Sequence, residues 1–134
     1  MRLTSFTDFG LRALMKLAGG ENRLYTVDEI ATEFALSRDH LTKVVRELAR
    51  HGFLVTQRGA AGGFRLARPA HEIRLGDVVA ALEGRHALVE CFEADGGTCR
   101  LLPHCRLKAR LARAGRAFID DLNQSTLADC RYPQ

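Results

Sequence analysis

LSRDHLTKVVRELARHGFL at residues 36–54 and VTQRGAAGGFRLA at 55–67 decide the fold. Ser37 is a helix-capping residue, because its hydroxyl can accept from a free backbone N–H one turn on. Behind it Leu41, Val44, Val45 and Leu48 recur at helical spacing and form one apolar stripe. The other face carries Arg38, His40, Thr42, Lys43, Arg46 and Arg50, and Gly52 stops the helix. Phe53-Leu54-Val55-Thr56-Gln57 and Phe64-Arg65-Leu66-Ala67 then have strand character, and the Gly-rich residues 58–63 between them make a turn.

Upstream, Thr7 and Asp8 resemble an N-terminal cap. Phe9, Ala13, Leu14, Leu17 and Ala18 supply a helical stripe that ends at Gly19 and Gly20. Thr26 and Glu29 have capping-box spacing, and Val27, Ile30, Ala31 and Phe34 form the buried face of a second helix. Two helices with a short break at Ala35–Leu36, then a hairpin, spell a winged helix-turn-helix, whose second helix enters the major groove. Downstream, a helix over 75–84 turns Val78, Val79 and Leu82 inward. Leu107, Leu111, Ala114, Phe118 and Leu122 step by four, three, four and four residues. That is a helix of about 25 Å at 1.5 Å per residue, with a narrow apolar seam suited to a partner helix.

The expected fold class is therefore mainly α with a small β-hairpin: a winged helix-turn-helix plus a long C-terminal dimerisation helix. Three segments follow: a DNA-binding region at 1–85, a cysteine-bearing loop at 86–105, and the dimerisation helix with its tail at 106–134.

Composition agrees with an ordinary globular chain. Of 134 residues, 46% are apolar and 27% charged, and 20 Lys and Arg against 16 Asp and Glu leave +4. No apolar run approaches the roughly 18 residues that cross a bilayer, and the opening lacks the apolar core of a signal peptide. The expected location is the cytoplasm, with no membrane partner. Four Cys are too few for a disulfide scaffold, and a reducing cytoplasm disfavours such bridges.

Arg38, His40, Thr42, Lys43 and Arg46 can supply phosphate contacts and base-edge donors, and Arg58 suits insertion beside a phosphate or into a minor groove. Charged helix faces are commonly only solvated. Here the face belongs to the second helix of a helix-turn-helix followed by a glycine-rich hairpin, so double-stranded operator DNA is the expected partner. One reader helix grips weakly, so a homodimer with half-sites about one turn apart is expected.

The segment ECFEADGGTCRLLPHC, residues 90–105, has neither helical nor strand period. Acids at Glu83, Glu90, Glu93 and Asp95 give way to Arg100, Arg106, Lys108, Arg110, Arg113 and Arg116. Cys91, Cys99 and Cys105 are separated by seven and five residues, which fits neither zinc knuckles nor a redox C-x-x-C pair. Three thiolates on a long loop can wrap an iron–sulfur cluster, an anion that the start of the long helix and its arginines would favour. Spacing leaves three free thiols in a loop as the alternative. His104 reads as a possible ligand or a surface residue, and Cys130 as an incidental thiol, tens of ångströms away if the long helix is continuous.

MRLTSFTDFGLRALMKLA at 1–18, the helix-turn-helix segment 36–54, RGAAGGFRLARP at 58–69, LGDVVAALEG at 75–84 and the three-cysteine loop together resemble the Rrf2 family of bacterial transcription regulators. The resemblance covers nearly the whole chain, and the opening is most like that of the family's nitric-oxide-sensitive repressors. The family's iron–sulfur assembly regulators place a His three residues after the last cysteine, where this chain has Lys108. The resemblance implies a homodimeric repressor with a cluster held by Cys91, Cys99 and Cys105 and by Asp8 of the other subunit. It favours [4Fe-4S] over [2Fe-2S], with nitric oxide as the signal and nitric-oxide detoxification genes as targets. Arg12, four residues from Asp8, can pair with it and couple the switch. The rival readings are a family regulator sensing redox state or iron supply, and a zinc- or thiol-switched regulator. An enzyme is not expected, since neither a phosphate loop nor a nucleophile–base pattern is visible.

Overall fold

Thr4, and not Thr7 or Asp8, starts the first helix. In the computed structural model, which describes residues 1–20, 22–84 and 86–132, α1 spans Ser5–Gly19. The boundary residue 85 and the last two residues of the expected segments lie outside the described residues. Thr4 and Thr7 are three residues apart, and the earlier one takes the cap: its hydroxyl accepts from the Thr7 N–H at 3.3 Å. Thr7 is thereby turned inside and fully buried, and Asp8 lands in the first turn, where the helix dipole favours a carboxylate.

Helix α2 (Val27–Phe34) opens on the expected capping box of Thr26 and Glu29. Ala35, in the left-handed region at φ 53°, turns the chain sharply into α3 (Arg38–Arg50), capped by Ser37. Leu41, Val44, Val45 and Leu48 are all buried, as their spacing requires. Gly52 closes the helix at φ 81°: its N–H donates to Ala49 O and that of Phe53 to Leu48 O, each at 3.0 Å. This left-handed C-terminal cap aims Phe53 back into the core and launches the hairpin.

Strands β1 (Leu54–Gln57) and β2 (Gly63–Leu66) pair antiparallel with Leu54 opposite Leu66 and Gln57 opposite Gly63. Tyr25 adds a bridge on the other edge of β2, exchanging two 2.8 Å hydrogen bonds with Phe64. The wing is thus stitched to the chain between α1 and α2. Helix α4 (Leu75–Glu83) turns Val78, Val79 and Leu82 inward. One core joins Leu14 and Leu17, Ile30, the α3 stripe, Leu54, Phe64, Val78, Leu82 and Leu127.

Gly76 lets α4 and the long α5 (Arg106–Leu122) touch. A Cβ there would lie 2.4 Å from the Ile119 carbonyl oxygen, a backbone atom that cannot step aside. Asn123 completes the joint: its Oδ1 accepts from the Asp77 N–H at 3.0 Å and its amide donates to Asp77 Oδ1 at 3.1 Å. The chain then reverses. Arg74 bridges Thr126, Leu127 N–H donates to Ile73 O at 2.7 Å, and Tyr132 N–H donates to Met15 O at 3.0 Å. Cys130 therefore ends a short turn (Leu127–Cys130) laid on α1. Lys16, buried between α1 and this tail, pairs with Glu33 at 3.0 Å.

Candidate nucleic-acid interface and cysteine site

The outward face of α3 is not uniform in what its side chains already do. Arg38 pairs with Asp28 of α2 at 3.1 Å, but both side chains are more than 60% exposed. Such a surface pair contributes little, so a phosphate can replace the aspartate. Thr42 donates its hydroxyl to Arg38 O at 2.9 Å and leaves its methyl and an acceptor lone pair outward. Lys43 and Arg46 are exposed and carry no ion pair among the described residues. Arg50 is held by Glu47, which raises its pKa chiefly through the hydrogen bond between them.

His40 behaves differently from its neighbours. Its ring is half-buried against α1, 4.8 Å from the Phe9 ring centre and 5.7 Å from that of Phe6. It therefore braces the reader helix against α1. Asp39, which sequence reasoning passed over, stands exposed on the outward face. A carboxylate there accepts from cytosine N4 and repels phosphate, which makes it a candidate for base selection.

At the wing tip Arg58 is exposed, followed by small residues only. Gly59 sits at φ 107° and its carbonyl accepts from the Gly62 N–H at 2.9 Å. A Cβ on Gly62 would come within 2.3 Å of Gln57 O, so the turn is as tight as glycine permits. A narrow tip with one cation has the shape of a phosphate or minor-groove probe.

The cysteine segment is built by local turns. Cys91 lies in a one-turn helix (Glu90–Phe92), and Cys105 is the residue on which α5 begins. Gly96 and Gly97 adopt φ of 77° and 64° and fold the chain back on that turn: a Cβ on Gly97 would lie 2.7 Å from Glu90 O. Cys91, Cys99, Cys105 and Cys130 are all half-buried free thiols. Leu88 and Leu101 remain exposed, so little apolar burial orders the segment. His104 is exposed. Among the described residues, no three Cys, His, Asp or Glu side chains converge in one chain to hold a metal ion.

Asp8 faces outward near the start of α1, and Arg12 grips it with Nη2 at 2.7 Å from Oδ2 and Nε at 3.3 Å from Oδ1. The expected i,i+4 pair is present. Both side chains are close to half exposed, so the carboxylate is accessible from outside its own chain. The Thr4 N–H, left free by the helix start, donates to the Glu83 carboxylate at the end of α4. The sequence marks Glu83 only as one of a run of acids, and gives no sign of this contact with Thr4, 79 residues away.

A helix-turn-helix is thus joined to a wing, a cysteine loop and a long helix whose apolar seam is only half-buried. The sequence profile of Rrf2, described as an iron-dependent transcriptional regulator, matches residues 3–131. The chain belongs to the Rrf2 family. Its members are transcription regulators that bind DNA and act as dimers, and this Rrf2 chain is a regulator of that type. Among solved structures it is similar to CymR of B. subtilis, the global cysteine regulator, at 26% identity and TM-score 0.74, covering 96% of this chain and 95% of that one. Staphylococcus aureus CymR matches at 28% and 0.70, covering 98% and 99%. IscR of T. potens matches at 25% and 0.72, covering 96% and 85%. No helix among the described residues is long and apolar enough to cross a membrane.

Proposed function

We propose that this Rrf2 protein is a homodimeric repressor of the NsrR type. It holds an iron–sulfur cluster through Cys91, Cys99 and Cys105 of one subunit and Asp8 of the other, and leaves its operator when nitric oxide arrives. The observation that carries the reading is the pairing of three free, half-buried thiols on a poorly packed segment with an outward carboxylate on α1. The donor set fits such a group: thiolates suit iron–sulfur centres, and Cys105 opens α5, whose N-terminal dipole favours an anion. [4Fe-4S] is the proposed form and [2Fe-2S] the alternative. Once bound, the cluster supplies iron reactive toward nitric oxide, with a weak oxygen ligand at one position.

The chain's own residues couple that site to DNA. Asp8 rides on α1, and two residues on, Gly10 keys α1 into its neighbours. A Cβ there would lie 2.5 Å from Leu82 of α4 and 3.3 Å from Val44 of α3. A shift of α1 is therefore felt by the reader helix, which His40 also ties to Phe6 and Phe9. Release of Asp8 lets α1 and α3 move relative to the partner subunit, and the spacing of the two reader helices no longer matches successive major grooves. The regulated genes are proposed to be those of nitric-oxide detoxification.

Asp8→Ala tests the cross-subunit ligand. The variant is expected to fold, since the Asp8 side chain is close to half exposed, but to bleach faster in air and to need less nitric oxide for release from operator DNA. Unchanged bleaching and an unchanged nitric-oxide titration would rule the ligand out. A second reading, a thiol- or redox-switched regulator, is supported by the likeness to the cysteine regulator CymR and by the free thiols. Colour separates the two: anaerobically purified protein is brown on the first reading and colourless on the second.

A further inference from the structure

A cleft of about 550 Å³ opens at the root of the wing, away from the reader helix and the cysteine segment. Arg23, Arg65, Arg68 and Arg131 line it with His71, over a floor that includes Leu17 of α1. Among the described residues, no carboxylate lines it. Arg23 is fixed in place: it donates to Leu24 O at 3.0 Å and to Glu29 at 3.1 Å, and stacks on Tyr25 at 3.7 Å. The Glu29 carboxyl lies below its usual range, chiefly through the Thr26 N–H and further through Arg23, against the opposing pull of burial. Arg68 lies 5.6 Å from the Phe53 ring centre, and neither Arg65 nor Arg131 has an ion pair among the described residues.

The walls of the cleft are anchored. Tyr25 and Phe64 exchange backbone hydrogen bonds, and the tail that carries Arg131 is pinned at Leu127 by Ile73 and at Tyr132 by Met15. Register separates the cleft from the wing tip. Leu54–Leu66 is the pair farthest from the turn and Gln57–Gly63 the nearest, so Arg65 to His71 lie at the opposite end of the hairpin from Arg58. Several guanidinium groups around one concavity repel one another until an anion enters, and their planar forks match phosphate oxygens. The volume falls within the roughly 300–1,000 Å³ of small-ligand sites.

We propose that this cleft is a second ligand site, for a small polyanion bearing phosphate groups. Its occupant bridges the wing root, the end of α1 and the C-terminal tail. The site stands independently of the iron–sulfur reading, because it uses none of the cysteines.

Inorganic pyrophosphate, titrated calorimetrically into the full-length protein, is the probe. Saturable binding of one pyrophosphate per chain is expected, weakened about tenfold or more in Arg68→Gln/Arg131→Gln, because bonds between charged groups are lost. Both residues are exposed, so the fold is retained, and Arg65→Gln is a second variant that weakens binding in the same direction. Arg58→Ala, at the tip, leaves pyrophosphate binding unchanged. Absence of saturable binding, or equal binding by both cleft variants, overturns the proposal. It is also overturned if Arg68→Gln/Arg131→Gln weakens binding to a random-sequence duplex as much as Arg58→Ala does. That outcome assigns these arginines to the DNA surface instead.

Discussion

Lys43→Ala/Arg46→Ala is expected to lower operator affinity by about three orders of magnitude or more while leaving the melting temperature within about a degree or two of the parent. Each lost base or phosphate contact costs about 1–3 kcal/mol, and a two-fold symmetric reader loses it twice. Stability is spared because both side chains are exposed and neither is engaged in an ion pair among the described residues. Gel-shift titration at fixed salt against operator and random duplex checks it. Arg50→Ala is the internal comparison: Glu47 already occupies that guanidinium, so its loss has a smaller effect. Equal affinities for parent and double variant would place the reader surface elsewhere.

The second large effect belongs to α5. Not one of its residues is fully buried within the single chain, and Leu107 is 61% exposed, although the helix presents a continuous apolar seam. A seam of that kind needs a partner. Leu111→Asp/Phe118→Asp places two carboxylates on it per chain, and burying unpaired charge costs several kcal/mol. The variant is expected to sediment as a monomer at micromolar concentration. Operator affinity then falls about hundredfold or more, because the second half-site is no longer bound as part of the same molecule. The winged domain itself is expected to remain folded, since its core draws on the other helices and on Leu127. A dimer that survives both substitutions would put the subunit contact on another face.

Much of this architecture was legible in residue order because strong local signals pointed the same way. Ser37, the Leu41–Leu48 stripe and Gly52 fix both ends and the inner face of α3, and the glycines at 59–63 fix the wing. The cap of α1 falls on Thr4 and not on Thr7 or Asp8 because Thr4 and Thr7 are chemically equivalent, and only the burial of Thr7 decides between them. The fold-back of the Cys130 segment onto α1 has no local signal either, because the chain reversal after Asn123 rests on contacts with Asp77 and Arg74, 46 and 49 residues away. Spacing likewise gives no warning that His40 turns under Phe9 while Thr42 and Arg46 face out, since position 40 lies on the flank of the helical wheel. The arginines of the cleft come from three separated stretches of chain and meet only in the fold. The cysteine site is the least legible part, because residues 90–105 carry no helical or strand period from which to place the three thiols.

Iron and acid-labile sulfide, counted per chain in protein purified without air and alongside its Cys91→Ala/Cys99→Ala/Cys105→Ala variant, decide whether the cysteine loop holds a cluster. Stoichiometric iron and sulfide are expected in the parent, none in the variant, and operator binding that the variant has lost. A parent free of sulfide, or a variant that grips the operator as tightly as the parent, would contradict the cluster reading.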